Sequence, residues 1–438
     1  MSLNSLLEKI KKKQVSIAVV GLGRVGLPLT SVLANSGLKV IGIDVNQSRL
    51  DSIKKGICPF YDPHLQENLE RSIASGNVSL VKNISESNVP DIVFFTVGTP
   101  NSGEGTVDYT QLYGALEEIS NLDLKDRMII LRSTLPPNTT KDIVIPYLEN
   151  KSSLKCGVDF GIAVCPERIL EGKAVKELFE LPEIIGAIDQ ISIEIAKEIF
   201  RAINPNKEIL ITSITGAELA KLFTNIFRYT TFALANEFAV WSEMYGVDAS
   251  EIIKIANHNY ERCNIPAPGF AGGPCLSKDG TFLDQNTTFT SIVSTAWNVN
   301  ESIPQHIINS IKKIDGNLFN KKIVVLGLAF KSGSDDLRNS PSVKLTEILK
   351  STGANVLIHD PYVKSTKSLE EVLEKPEIII IATNHKEFRE IKDKINNSNA
   401  RIVYDVWSMF KEEDFPKSTY IRFGRNKHSS INECEFMW

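Results

Sequence analysis

The chain has 438 residues, enough for two or three domains with substantial cores. Hydrophobic residues make up 42% and charged residues 23%, and the formal net charge is −4, a balance that excludes a disordered chain and leaves no electrostatic footprint for nucleic acid or a membrane surface. No apolar run approaches the roughly 18 residues of a membrane span, and Cys58, Cys156, Cys165, Cys263, Cys275 and Cys434 make neither a C-x-x-C pair nor zinc-ligand spacing, so no metal is expected and a reducing cytoplasm is the simplest setting.

The opening MSLNSLLEKIKKKQ reads as a short amphipathic helix. Val15–Val20 is an apolar run of strand length that enters Gly21-Leu22-Gly23-Arg24-Val25-Gly26, after which a helical pattern runs to about Asn35. Strand, G-x-G-x-x-G and helix together are a dinucleotide fingerprint: the glycines permit a tight turn and close approach of a pyrophosphate to a helix N-terminus. A second apolar run, Lys39–Ile43, ends in Asp44, whose carboxylate can bond ribose hydroxyls of NAD and repel the extra phosphate of NADP. Arg49 is either a phosphate partner that weakens this exclusion or a solvated helix residue.

The alternation continues with strands at 91–97, 128–131 and 161–164, which predicts a parallel sheet covered by helices, with ligands at the carboxyl ends of its strands. Thr99, Thr134 and Glu167 follow those ends and are candidates to face one crevice; for an isolated threonine, a turn or cap role is the alternative. In PERILEG, Glu167 and Glu171 are four apart and would share one face of a helical turn, where like charge raises one pKa and suits acid/base work. A long proline-free helix is predicted from Glu218 to about Gly246, with Lys221 and Asn225 one turn apart. Asn225 lies among Leu222, Phe223, Ile226 and Phe227, where a polar side chain needs a partner, and the helix is long enough to serve as a dimer surface.

PGFAGGPCLSKD (268–279) sets Cys275 in a glycine-rich turn just before Lys278 and Asp279. A thiol, a dinucleotide site and carboxylates suggest oxidation through a covalent sulfur intermediate, against the plainer reading of Cys275 as a small buried hydrophobe. A further α/β unit begins near Lys321, with strands at 323–326, 356–359, 378–381 and 402–404. It lacks a complete G-x-G-x-x-G, so a second NAD is not expected there. His359 and His385 have no paired ligand spacing and read as structural, and the polar tail after Asn426 is expected to be poorly ordered.

The chain resembles the UDP-glucose/GDP-mannose dehydrogenase family over nearly its whole length. The resemblance rests on GLGRVGLP (21–28), VGTP (97–100), STLPPNTT (133–140), PERILEG (166–172), AELAKLFTN (217–225), GFAGGPCLSKD (269–279), GLAFKSGSDDLRNSP (327–341) and FGRN (423–426). It implies an α/β fold of two Rossmann-like parallel-sheet domains joined by a helical domain with a long central helix. The implied boundaries are 1–208 for NAD binding, 209–305 for the helical domain with the cysteine loop, and 306–438 for UDP-sugar binding. It also implies a homodimer and a four-electron oxidation of a sugar C6 alcohol using two NAD. By this likeness Cys275 is the nucleophile, Lys221 stabilises oxyanions beside Asn225, and Asp279 with Thr134 orders a water. Glu167 and Glu171 lie near the reacting carbon. Gly21, Gly23, Arg24, Val25, Gly26, Asp44, Arg49, Thr99, Thr134 and Arg338 contact cofactor, while Arg228, Arg262, Gly272, Lys331 and Arg425 contact the UDP-sugar. Arg262 and Arg338 would reach across a subunit interface. The stretches 221–237 and 262–269 resemble the UDP-N-acetylhexosamine branch, but that branch usually carries G-G-H-C where this chain has Pro274 before Cys275, and C-L-S-K-D matches the UDP-glucose branch. UDP-N-acetylmannosamine is the favoured substrate, UDP-glucose the alternative, and a silent NAD- or UDP-sugar-binding regulator the reading from another class.

Overall fold

The structure is a computed structural model that describes residues 3–86, 89–101, 107–284 and 291–425. The tail after Asn426, and with it Cys434, lies outside the described residues. The chain divides into two compact units, 1–224 and 225–438.

The first unit is built on an eight-stranded sheet of order β3-β2-β1-β4-β5-β6-β7-β8. Its strands are β1 (Ser16–Val20), β2 (Lys39–Ile43), β3 (Val78–Val81), β4 (Ile92–Phe95), β5 (Met128–Leu131), β6 (Gly161–Val164), β7 (Glu183–Ala187) and β8 (Ile209–Thr212). From β3 through β6 every pairing is parallel, and β1 sits at the point where the strand order reverses. The apolar runs are continuous because both faces are covered. Successive residues point to opposite faces: Ile17 and Val19 of β1 join one core with Ile92, Phe94, Met128 and Ile130, whereas Ala18 and Val20 join the other with Val93, Phe95, Ile129 and Leu131. The opening helix α1 (Leu3–Lys11) turns Leu3, Leu6 and Ile10 into the first of these cores. The dinucleotide turn leads into α2 (Gly26–Asn35), and Arg49 lies on α3 (Gln47–Lys54).

One strand reverses. β7 pairs antiparallel with β6, Val164 opposite Gly186. Its first residue, Glu183, therefore lies beside the carboxyl end of β6, where a parallel strand would have placed its last. The helix α4 (Gln190–Ile203) follows, and the long helix α5 (Ile214–Met244) begins where its glutamate, Glu218, accepts N–H bonds from Asn138 (2.7 Å) and Thr140 (3.0 Å).

The second unit holds a five-stranded sheet, β10-β9-β11-β12-β13, parallel throughout. Its strands are β9 (Lys322–Leu326), β10 (Asn355–His359), β11 (Ile378–Ile381), β12 (Ile402–Asp405) and β13 (Thr419–Arg422). β11 is four isoleucines, all fully buried and alternating between the two cores; burying each contributes about 1.5–3 kcal/mol. The helices of this unit include α6 (Leu276–Asp279), α7 (Ile292–Asp315) and α8 (Pro341–Ser351). Ile303, Ile307 and Ile311 of α7 share a core with Ile323, Val325, Ile378 and Ile380, so the helical part of this unit and its sheet have a common interior. Among the described residues no helix is long and apolar enough to cross a membrane.

Candidate active site

In the first unit the candidates gather at the carboxyl ends of the strands. The turn after β1 is tight: a Cβ on Gly26 would stand 1.9 Å from the Gly21 carbonyl oxygen and 2.4 Å from Thr96 Oγ1, so no side chain fits. That hydroxyl donates to the Gly21 carbonyl at 2.6 Å, fixing the turn from below. Gly23 has nothing within 4 Å of where its Cβ would stand, the open approach a pyrophosphate requires. Val25 caps α2 without a side-chain bond. Asp44 is buried at the end of β2, its Oδ2 accepting the Leu22 N–H at 2.8 Å and its Oδ1 the Asn46 N–H at 2.9 Å. Arg49 pairs with Asp44 Oδ2 at 2.7 Å, so its charge is turned onto the acid. A glycine cradle, a helix N-terminus and a carboxylate at the second strand are the features a dinucleotide needs, and these residues fit NAD.

Thr99 and Thr134 are brought together, Thr99 Oγ1 donating to the Thr134 carbonyl at 2.6 Å. Glu167 and Glu171 are not. The segment around them is irregular rather than helical, and each acid takes a different cation. Glu171 lies 3.6 Å from Arg24, whose guanidinium also stands over the Phe60 ring. Glu167 pairs with Arg132 at 2.6 Å. The shared helical face expected of these two acids, with its mutual raising of a pKa, is therefore corrected by the structure: Gly161–Val164 ends in a turn whose backbone N–H groups at Arg168 (2.7 Å) and Ile169 (2.9 Å) both donate to Glu167 Oε1. Lys221 is buried on α5 in this unit.

In the second unit Asn225 has the partner its apolar neighbours demanded. Its Nδ2 donates to Asp279 Oδ2 at 2.6 Å, and Asp279 is wholly buried. Lys278 lies 3.3 Å from the other carboxylate oxygen and over the Phe282 ring. Cys275, just before α6, is exposed, which removes the reading of it as a buried hydrophobe. Its loop is fastened at both ends. Gly273, at φ +99°, donates its N–H to the Asn339 carbonyl at 3.0 Å, and a Cβ there would stand 2.6 Å from the Phe330 ring. A Cβ on Gly272 would stand 2.4 Å from Pro341. At the loop entrance, Asn236 Oδ1 accepts the Gly269 N–H at 2.8 Å, and its amide donates to buried Asn300 at 2.9 Å. Asn236 follows Asn225 by eleven residues on α5, three turns along nearly the same face. Sequence reasoning placed Asn236 on the helix without assigning it this bond; the missing signal was the contact to a loop 33 residues away.

Lys331 lies near the Phe330 ring, and Arg425 is 3.9 Å from Glu412. Arg338 is clamped by Asp336, with bonds of 3.0, 3.0 and 2.6 Å. Arg262 lies over the Tyr260 ring, and Arg228 is exposed on α5. His385 is buried and bonds Asp360 at 3.1 Å, while His359 Nδ1 meets the Lys367 carbonyl at 2.8 Å.

The NAD binding domain of the UDP-glucose/GDP-mannose dehydrogenase family matches residues 15–204, its central domain 215–302 and its UDP binding domain 324–412. A UDP-N-acetyl-D-mannosamine dehydrogenase of Pyrococcus horikoshii is 34% identical over 405 residues, covering 90% of this chain and 96% of that one. Among solved structures, the UDP-D-ManNAc dehydrogenase of Pyrococcus horikoshii matches with a TM-score of 0.87 at 33% identity, covering 94% of this chain and 100% of its own. A UDP-glucose dehydrogenase of Pyrobaculum islandicum matches with a TM-score of 0.84 at 26% identity, covering 94% and 98%. The chain thus belongs to the UDP-glucose/GDP-mannose dehydrogenase family and is an NAD-dependent nucleotide-sugar dehydrogenase.

Proposed function

We propose that the chain oxidises the C6 hydroxyl of a UDP-N-acetylhexosamine, with UDP-N-acetylmannosamine in first place, to the uronic acid through a covalent adduct on Cys275. The observation that carries this reading is the exposed Cys275 thiol on a loop anchored by buried side chains, four residues before an Asp279 bonded to Asn225. The turn at 21–26 and Asp44 would hold NAD, which would supply the hydride acceptor for each of two oxidations. Between them the Cys275 thiolate adds to the C6 aldehyde, forming a C–S bond that retains the intermediate as a thiohemiacetal. At the acyl level the bond is a thioester; water adds, the C–S bond breaks, the thiolate leaves and the carboxylate is released. The sum is alcohol, two NAD and water to carboxylate, two NADH and three protons.

Lys221 is assigned the oxyanion, with Asn225 beside it, and Thr134 with Asp279 the ordering of water. Glu167 is assigned the proton of the hydrolytic water, and Glu171 contacts near the reacting carbon. Thr99 and Arg338 are assigned to the cofactor, Lys331 and Arg425 to uridine or diphosphate, and Arg228, Arg262 and Gly272 to the rest of the substrate. The domains are proposed to run 1–208, 209–305 and 306–438. A homodimer is proposed through α5, where Phe227, Leu234 and Trp241 are exposed at heptad spacing and form an apolar stripe. The N-acetyl sugar is favoured by the resemblance of 221–237 and 262–269 and by the Pyrococcus relative. UDP-glucose is the second reading, supported by C-L-S-K-D.

NADH release against a panel of UDP-N-acetylmannosamine, UDP-N-acetylglucosamine, UDP-glucose and GDP-mannose tests both. Two NADH per N-acetyl sugar is the expected result, and turnover of UDP-glucose alone would overturn the substrate assignment. Uronate formation by Cys275→Ser at the parent rate would overturn the covalent route.

A further inference from the structure

Glu167 is not free to act alone. Both of its oxygens are occupied: Oε1 by the two backbone N–H groups of its own turn, Oε2 by Arg132 Nε at 2.7 Å and Nη2 at 2.6 Å. A carboxylate with about four acceptor positions filled by four donors has nowhere to receive a proton unless one donor moves. The guanidinium is the donor with somewhere else to go. Arg132 Nη1 also donates to Glu183 Oε1 at 3.0 Å and to the Cys165 carbonyl at 3.2 Å, and Nη2 reaches Glu183 Oε2 at 3.3 Å. One buried cation is thus divided between two buried carboxylates, and the Phe200 ring packs 5.0 Å from its centre. Arg132 directly follows β5, Glu167 follows β6, and Glu183 arrives only because β7 runs backwards.

We infer that Glu183 is a positioning residue for Glu167, acting through Arg132: when Glu167 takes a proton, the guanidinium passes to Glu183, and it returns when the proton leaves. In that exchange one O–H of the attacking water breaks as its oxygen bonds the acyl carbon, and the O–H of Glu167 forms. With one carboxylate the cation would lock Glu167 as an anion; with two, the cost of releasing it is offset within the cluster. The other charged or titratable groups beside the triad are Arg168, Glu177, Lys207 and the Cys165 thiol; Glu177 Oε2 accepts the Leu170 N–H at 2.6 Å. Lys207 is buried with its ammonium on the Leu178 carbonyl, and burial pushes the Cys165 thiol up.

The inference rests on the proposed hydrolysis of a Cys275 thioester, and the test separates the two. Full-length protein is mixed with NAD and UDP-N-acetylmannosamine (or whichever sugar the panel selects), quenched, and the acylated Cys275 fraction measured by intact mass across pH. Glu167→Gln, the control, is expected to accumulate the acyl-enzyme. Glu183→Gln is expected to accumulate it too, with hydrolysis slowed about 10²-fold and its acid limb moved to lower pH, because Arg132 then serves Glu167 alone. Arg132→Met is expected to move the limb the opposite way, since two buried carboxylates without a cation hold protons more strongly. Glu183→Asp keeps the charge and is expected to restore most of the rate, which a folding defect would not predict. Parent-like partition and pH dependence in Glu183→Gln would overturn the inference. Failure of Glu167→Gln itself to accumulate acyl-enzyme would instead overturn the reading on which it rests.

Discussion

At the end of β1 and at the end of β9 the chain makes the same move. Gly21 and Gly327 both turn with positive φ, +94° and +92°, above a threonine, Thr96 and Thr383, that donates its hydroxyl to a carbonyl of the turn region. An aspartate closing the neighbouring strand accepts backbone N–H groups from that turn: Asp44 from Leu22 at 2.8 Å, and Asp360 from Leu328 at 2.7 Å and Ala329 at 2.9 Å. Beyond this point they diverge. The first turn passes directly into α2 through Gly26, and the further partner of its acid is Arg49, with a side chain about one-third exposed. The second runs through 328–340 before α8, and its acid is sealed by wholly buried His385. A ribose hydroxyl can displace a solvent-facing arginine; it cannot displace a buried imidazole. One framework therefore serves a dinucleotide in the first sheet, while in the second it anchors the 328–340 loop inside the UDP binding domain. What decides is whether the strand-end carboxylate keeps a replaceable partner.

The sharpest way to break this comparison is at Gly26. Gly26→Val should abolish NAD binding, measured by titration of protein fluorescence, while UDP binding stays within about twofold, because the clash with Gly21 is confined to the first turn. Equal loss of both ligands would mean that the two turns are not independent. Next in size, Asp360→Ala should destabilise the protein by about 2–4 kcal/mol in urea unfolding, since four donors lose a buried charged acceptor. NAD affinity should not change.

The acid itself makes a pH prediction. Burial alone would raise the Asp360 pKa, but the His385 hydrogen bond and charge, with the Ala329 and Leu328 N–H groups, hold it below the ordinary value. A carboxyl lowered on folding contributes stability above its unfolded pKa and loses it as pH falls through the folded one. Asp360→Asn should therefore flatten the fall in melting temperature below about pH 4, the ordinary aspartate range, and an unchanged fall would count against the assignment. Asp44→Ala should weaken NAD about tenfold and narrow the preference over NADP, since it removes a charged acceptor of ribose hydroxyls. The smallest effect belongs to Arg49→Ala, about twofold or less on NAD, as expected of a partly exposed ion pair.

Much of this was legible in the chain. The runs at 39–43, 128–131, 161–164 and 378–381 coincide with β2, β5, β6 and β11, because strands buried on both faces are uninterrupted apolar runs. β3, with no fully buried residue, β7, which begins with a charge, and edge strand β8 carry no such signal. The dinucleotide turn and its acid were readable because their geometry is local. The PERILEG acids misled for the opposite reason: spacing predicts a shared helical face only if there is a helix, and here the backbone N–H groups at Arg168 and Ile169 fold round Glu167 instead.

The sequence by itself determined the alternation of strands and helices, the NAD turn, the cysteine loop and the family, because each rests on motifs that are short and local in the chain. Tertiary structure alone decided which side chains share a charge. Arg132, Glu167 and Glu183 span 51 positions and meet because β7 reverses, and Asn236 reaches Gly269 because α5 and the cysteine loop pack together. A buried ion or amide must find its partner wherever the fold supplies one, and that location is a property of strand direction and packing that no local spacing encodes.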